Sequence, residues 1–442
     1  MYVFLGFLLT IFLGLLISLL IISKMRPVER LGLSYVLGLG FLTLFMFFSY
    51  LAGFKFNLGN TLNILVVLVL VVFFFTRRKI FPYITDLVSS FSLVNFSKTE
   101  KIIIFAIAFF VIFSFICTLY YPVGAWDALV LYDWRAKLFV ATGSMEEGIR
   151  RGYFFGVPLL TSLAHTWVYF LNGKQPEFIY TLFLFSFIAM IYGSLREYTT
   201  RIISLVAVLI IATTPDILTH STFSYTNLPY TVYFVMGTIY LYIWMTKGKW
   251  GYLFLSALML GLSTWTRSSE PFWIINMIIL IIFSLYKRKI WQPLLFAFLF
   301  FSIRQPWVIF ENSKLTWDTT VSSKIFEGIS VILHQFNFNH ALLIFRFVFD
   351  NLFAHQIIYW LGFLTILVWE RNFYPKRKKV WLSGMIIGFA LLVIVGTYVF
   401  SLTFADWKIG GSLARMSMFF PPLIVFYIAI SQKIQKLFRQ GK

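Results

Sequence analysis

The chain has 442 residues, 60% of them hydrophobic and 12% charged, with a mean hydropathy of +0.84. A soluble domain has nowhere to bury that much apolar surface, so composition leaves an all-α polytopic membrane protein. The net charge of +20 does not point to nucleic acid, because the cations sit in short clusters between apolar runs instead of along one face.

In chain order, hydropathy predicts about 13 spanning helices: 3–23, 31–53, 61–75, 101–119, 178–195, 202–214, 226–246, 251–265, 271–286, 290–303, 356–369, 380–401 and 417–431. The first is expected to be a retained helix with its N-terminus outside, since Lys24, Arg26 and Arg30 follow the apolar run instead of preceding it. Clusters at Arg77-Arg78-Lys79, Lys247/Lys249, Lys287-Arg288-Lys289, Lys376-Arg377-Lys378-Lys379 and the tail from Lys433 to Lys442 then face the cytoplasm, beside membrane lipids. In that orientation 24 of the 37 Lys and Arg residues, and the C-terminus, are cytoplasmic. The arrangement holds only if 154–172 and 340–353 lie along the membrane surface. Segments 202–214, 251–265 and 290–303 are short and need protein neighbours. The single cysteine, Cys117, lies in an apolar run and can form no intrachain disulfide.

This layout divides the chain into a three-helix N-terminal appendage (1–75), a cytoplasmic connector (76–100), a membrane core (101–431) and a basic tail (432–442). Two long outer loops follow, 120–177 and 304–355. By the same count 12 of the 17 acidic residues face outward. Topology rules give carboxylates little weight, so the skew calls for a cation or a polar substrate site on that face.

In the first outer loop, Tyr121-Pro122-Val123-Gly124-Ala125-Trp126-Asp127 sets a carboxylate beside an aromatic at the membrane boundary. Ala125–Val140 is helix-compatible, and Trp126, Val130, Trp134 and Leu138 recur at the spacing of an interfacial helix. Asp133 and Lys137 are four apart and can pair on its surface. Asp127 reads either as a helix N-terminal carboxylate or as a catalytic acid; Arg135 and Lys137 read as snorkelling cations or phosphate ligands.

The order of elements resembles the GT-C superfamily of integral-membrane glycosyltransferases, which includes protein O-mannosyltransferases and the lipid A aminoarabinose transferase. An aromatic-Asp outer loop with a juxtamembrane helix is followed by Gly156-Val157-Pro158-Leu159-Leu160, then by a helix ending Phe170-Leu171-Asn172-Gly173. Glu177-Phe178 enters a membrane helix, and another helix ends at Thr214-Pro215-Asp216. Later come Thr266-Arg267-Ser268-Ser269-Glu270-Pro271 at a helix break and Gly411-Ser412-Leu413-Ala414-Arg415 before Pro421-Pro422. The resemblance covers 101–431. It implies inverting transfer from a polyprenyl-phosphate sugar donor to a glycan, lipid or protein acceptor outside the cytoplasm. Asp127 would be the acceptor-side base. Arg415 and Arg267, and secondarily Arg135 and Lys137, would hold the donor phosphate. Glu270 would orient the donor or buttress Arg267.

One position departs from the pattern. Many family members carry an aspartate where this chain has Asn227, ahead of Leu228-Pro229; Asn227 keeps an acceptor and loses the charge. A divalent metal ion would then fall to Asp216, with His220 four residues on, or the site uses none. The second outer loop carries Trp307, Trp317, Asp318, His334, His340 and His355 without metal-ligand spacing, and Gly410-Gly411 would let backbone approach a ligand. Two other classes fit the composition: a transporter or lipid flippase, and a catalytically inactive GT-C-like scaffold. Few charges fall mid-membrane and no internal repeat is visible, which argues against the transporter.

Overall fold

Uninterrupted runs of Leu, Ile, Val and Phe give helices that are apolar on every side and must face lipid or one another. A computed structural model of the chain describes residues 1–90, 96–151, 157–268, 270–314, 336–370, 378–403 and 412–440, and among them there are helices and no strand. The first four are α1 (Tyr2–Ile21), α2 (Pro27–Leu51), α3 (Leu58–Ser90) and α4 (Lys98–Tyr120). A π-helical turn, Ala128–Asp133, leads into α5 (Trp134–Thr142), followed by α6 (Glu146–Arg150) and α7 (Leu160–Phe170). Next are α8 (Phe178–Leu195), α9 (Arg201–Ala212), α10 (Pro215–His220), α11 (Asn227–Lys247) and α12 (Trp250–Thr266). Then come α13 (Trp273–Tyr286), α14 (Trp291–Lys314) and α15 (Phe338–Val348), which runs through a π-helical turn, Phe349–Ala354, into α16 (Ile357–Trp369). The last are α17 (Val380–Thr403), α18 (Ser412–Met416), α19 (Phe420–Ala429) and α20 (Gln432–Gln440).

Each segment expected to span is helical. Eight (α1–α4, α8, α11, α14 and α17) are long and apolar enough to cross a membrane, or nine if the bent pair α15–α16 is one span. The rest are shorter: α9, α12, α13 and α19 have 12, 17, 14 and 10 residues. The 88° bend between Phe338–Ala354 and Ile357–Trp369 is a feature of the bent pair α15–α16.

Two boundaries differ from the sequence reading. The connector 76–100 is helical as far as Ser90, because α3 continues through Pro82, and Lys79 Nζ donates to the Leu19 carbonyl at 3.0 Å. Ser97 opens the next helix, and its hydroxyl and Glu100 form a capping box for α4. The 304–355 loop likewise starts late, since α14 runs through Pro306 to Lys314 and buries Trp307 against Phe47 and Trp265. Within 154–172, α7 is enclosed by protein, with His165 and Trp167 inaccessible.

The N-terminal helices pack into the rest of the molecule. A Cβ on Gly14 would sit 1.8 Å from the Ser34 carbonyl oxygen and one on Gly38 2.0 Å from that of Thr10, so α1 and α2 touch backbone to backbone. From there α2 bonds into the core. The Tyr35 hydroxyl donates to the Ile179 carbonyl (2.9 Å), Tyr233 to the Val36 carbonyl (2.7 Å), and the Trp265 indole to Thr43 Oγ1 (3.2 Å). Polar groups in hydrocarbon must find partners within the protein, and these three tie α2 to α8, α11 and α12. Hydropathy has no term for them.

Candidate functional site

The polar chemistry gathers where helices stop. Pro122 and Gly124 end the run of α4, and Asp127 follows with its carboxylate 44% exposed. Arg415, carried on the short α18, places Nη1 3.6 Å from Asp127 Oδ2. Its guanidinium also lies 5.5 Å from the Tyr225 ring centroid, a cation–π contact that fixes its direction. The sequence treated these two residues as separate candidates; the fold brings them together.

Tyr225 belongs to the turn between α10 and α11, and the next residue joins this pair to a second one. Thr226 Oγ1 lies 3.2 Å from the Tyr132 hydroxyl and 3.4 Å from Arg267 Nη1. Arg267 ends α12 in extended backbone, and its Nε donates to Glu270 Oε1 at 3.0 Å. Glu270 is only 3% exposed. The expected Arg267–Glu270 ion pair is therefore present and largely withdrawn from water. Asn227 is buried as the first residue of α11, one position beyond Thr226. The dipeptide Tyr225-Thr226 thus touches Arg415 on one side and Arg267 on the other, so Asp127, Arg415, Arg267 and Glu270 form one constellation.

Asp216 stands at the edge of this group. Its Oδ2 is 3.2 Å from His355 Nε2, while His220 Nδ1 bonds the Asp216 carbonyl at 2.8 Å, an in-helix contact. Burial pushes the His220 pKa down, so its ring is neutral. Among the described residues no three His, Cys, Asp or Glu side chains are grouped as metal ligands. Among the described residues the donors gathered at the Asp216 carboxylate are thus too few to form a metal cage.

The remaining predicted cations are engaged elsewhere. Arg135 is fully enclosed, with Nε on the Leu131 carbonyl (3.2 Å) and Nη1 on the Val157 carbonyl (2.9 Å); burial lowers its pKa to about 10. It is placed to tie the loop after residue 156 to α5, not to meet a phosphate. Lys137 does pair with Asp133, at 2.7 Å, but Asp133 is not on the surface. It lies in a buried network with the Tyr169 hydroxyl and His165, whose Nδ1 is 3.4 Å away. Burial alone would raise the Asp133 pKa; hydrogen bonds from His165, Lys137 and Tyr169 outweigh it and hold it at about 2. A neutral His165 with its proton on Nδ1 would face the carboxylate with that N–H and accept from the Tyr180 hydroxyl, 2.9 Å from Nε2. Beside this network Glu177 is buried with neither carboxylate oxygen hydrogen-bonded among the described residues, and burial raises its pKa to about 7.

Tyr132, Tyr225 and Thr226 were given no role by the sequence reading, and His355 was named only as a loop histidine without a partner. The π-helical turn at Ala128–Asp133 is the reason for Tyr132. It inserts extra rotation, so the buried positions are Ala128, Tyr132, Asp133, Arg135, Ala136 and Phe139 instead of a stripe through Val130 and Trp134. The aromatic next to Asn227 was the available signal for Tyr225. Residues 152–156, Ser269, Trp317, Asp318, His334, Lys376, Arg377, Gly410 and Gly411 lie outside the described residues. His340 bonds Ser401 and packs on Tyr398, away from the constellation.

A family model described as dolichyl-phosphate-mannose-protein mannosyltransferase matches residues 158–310, from the approach to α7 into α14. The match takes in Asp216, Asn227, Arg267 and Glu270 and stops short of Asp127 and Arg415. Neither a curated protein nor a solved structure matches the chain. Together the apolar helices and the matched segment support an integral membrane protein similar to the GT-C superfamily glycosyltransferases.

Proposed function

We propose that the protein transfers a sugar, with inversion, from a polyprenyl-phosphate donor to a hydroxyl of a glycan, lipid or protein on the extracytoplasmic side of the cytoplasmic membrane. The observation that carries this reading is the approach of Arg415 to Asp127 at 3.6 Å, at the end of a membrane helix. A base for the acceptor and a cation for the leaving phosphate are the two groups the reaction needs, and a lipid-borne donor needs them at the membrane boundary. With the site empty they neutralise each other. When the donor phosphate takes Arg415, the Asp127 carboxylate is released to face the acceptor.

The acceptor hydroxyl gives its proton to Asp127 as its oxygen bonds the anomeric carbon from the face opposite the phosphate. The anomeric C–O bond breaks, and its electron pair leaves on the polyprenyl phosphate, where Arg415 and Arg267 stabilise the developing charge. Glu270 holds Arg267 in place, and Tyr132 with Thr226 fixes its outer edge. Asn227 orients a polar group of the donor as a neutral hydrogen-bonding side chain.

The test uses purified protein in lipid with a panel of polyprenyl-phosphate sugars, following donor consumption by transfer or slow hydrolysis. Wild type is compared with Asp127→Asn, each with and without a chelator. Loss of consumption in the variant supports the assignment, and the chelator arm decides whether Asp216 holds a cation. Equal consumption by both proteins removes Asp127 from the mechanism.

A further inference from the structure

The far ends of α4 and α8 carry a different arrangement. Over its 23 residues α4 rises about 35 Å, so its first turn lies a bilayer's thickness from Asp127. There a cavity of about 520 Å³ opens between α2, α3, α4, α8 and α9. Its walls are apolar, including Ile104, Ile107, Val111, Phe185, Leu205 and Val208, and Arg26, Arg196 and Arg201 are the charged groups that line it.

A second cavity, of about 430 Å³, shares Arg196 and Arg201 with the first and is otherwise lined by Glu197, Tyr198, Thr199, Thr200 and Gln435. It is polar, and it is incompletely satisfied. Thr199 is nine-tenths buried, and among the described residues neither its Oγ1 nor that of Thr200 has a hydrogen-bond partner. Thr200 is the residue that should cap α9, yet its side chain makes no capping bond, so the first-turn amides of that 12-residue helix receive none from it. Four cations surround the spot, Arg26, Arg196, Arg201 and Lys249, against two carboxylates: Glu197, 3.9 Å from both Arg26 and Lys249, and Glu100, 3.7 Å from Arg201. From α20, the Gln435 amide donates to the Tyr198 carbonyl at 3.0 Å and closes the polar cavity's far side.

We propose that this double cavity binds one anionic phospholipid, with its phosphate among Arg196, Arg201, Thr199 and Thr200 and an acyl chain in the apolar cavity. The ligand class follows from the juxtaposition. Excess positive charge and unpartnered hydroxyls call for an anionic acceptor, and the adjoining apolar space calls for hydrocarbon on the same molecule. The site is independent of the sugar-transfer reading, which concerns the other end of the helices.

The experiment is native mass spectrometry of the full chain released from micelles doped with phosphatidylglycerol or phosphatidylcholine of identical acyl chains. Two arginines facing one anionic headgroup should favour phosphatidylglycerol by about tenfold or more. Arg196→Gln combined with Arg201→Gln should abolish the preference, and Thr199→Val, which is nearly isosteric, should reduce it while leaving thermal unfolding without lipid unchanged. Equal retention of both lipids by wild type, or a preference untouched in Thr199→Val and in the double variant, would overturn the proposal. Competition with glycerol 3-phosphate separates a lipid site from a free-phosphate site: displacement at equal concentration would show that the apolar cavity contributes nothing and would also overturn it.

Discussion

The Arg267–Glu270 pair separates a structural from a catalytic role. Glu270 is 3% exposed and the contact is 3.0 Å. At that distance the Coulomb attraction is about 5 kcal/mol for an effective dielectric of about 20, and desolvation of both groups cancels much of it. The net value of the pair is therefore small, whereas removing one member strands the other. Arg267→Met leaves a buried carboxylate facing an apolar side chain and should cost about 3–5 kcal/mol. Replacing both, with Glu270→Leu added, removes the stranded charge and should return most of that loss.

The assay is the unfolding rate in detergent at a fixed temperature, since membrane proteins of this size seldom unfold reversibly. About 3 kcal/mol corresponds to a change of roughly 150-fold if it falls wholly on unfolding. Donor consumption is measured on the same three proteins: wild type, Arg267→Met and the double variant. If Arg267 meets the donor phosphate, the double variant is restored in stability and still loses about 10²–10³ in rate, as removal of an electrostatic stabiliser does elsewhere. Two results would refute the reasoning. An Arg267→Met protein as long-lived as wild type would mean the pair does not hold the site together. A double variant restored in both stability and rate would mean Arg267 never touches the substrate.

Other expectations follow from the same geometry. Asp127→Asn keeps the shape and removes the base, so donor consumption should fall by about 10²–10⁴ with unchanged unfolding behaviour; a fall below tenfold would leave the base elsewhere. Glu177 is raised to about 7 from an unfolded value near 4.5, so it is protonated in both states at low pH, and stability is lost as pH rises between those values. Glu177→Gln should therefore stabilise by up to about 3 kcal/mol at pH 8 and by nothing at pH 4; equal effects at both pH values would contradict this. Asp133 is depressed to about 2, so its contribution is full above the unfolded value near 4 and fades as pH falls toward 2. Asp133→Asn should destabilise by roughly 2–4 kcal/mol at pH 7, with Tyr169→Phe costing about 1, as read by unfolding rates of the two variants.

Much of the architecture was legible because hydrocarbon imposes one rule, that apolar runs become helices, and every expected span is one. What stayed hidden depends on phase and on partners. The π-helical turn at Ala128–Asp133 rotates everything after it, turning Asp133 inward, where a regular helix would leave it paired at the surface. Arg135 read as a phosphate ligand because charge is visible in a sequence and the Leu131 and Val157 carbonyls that absorb it are not. Gly14 and Gly38 carried the clue that α1 and α2 pack tightly, but only α8, α11 and α12 show what α2 packs into. Asp127, Arg415, Arg267 and Glu270 were each readable as polar residues at helix ends. Their convergence was not, because it passes through Tyr225 and Thr226, which have no charge to draw attention.

The position of the polar groups also bears on the choice between transfer and translocation. A protein that carries a charged or sugar-bearing headgroup across the bilayer must present polar groups along the way, typically on interrupted central helices. Here the enclosed helices α8, α11 and α12 contain no Asp, Glu, Lys or Arg before Lys247 at the very end of α11, and all three run unbroken. Several of their hydroxyls bond carbonyls within the bundle: Thr238 donates to Phe234, Ser256 to Gly237 and Tyr233 to Val36. What charge the neighbourhood has is displaced to the ends, Arg267 and Glu270 after α12 at one, Arg196 and Arg201 after α8 at the other. Among the described residues these three helices present no charged side chain between their ends, and the charged groups gather at the two ends. That division fits chemistry on one face and lipid contact on the other, and it would be undone if vesicles bearing the protein moved a labelled polyprenyl-phosphate sugar between leaflets faster than vesicles bearing Asp127→Asn.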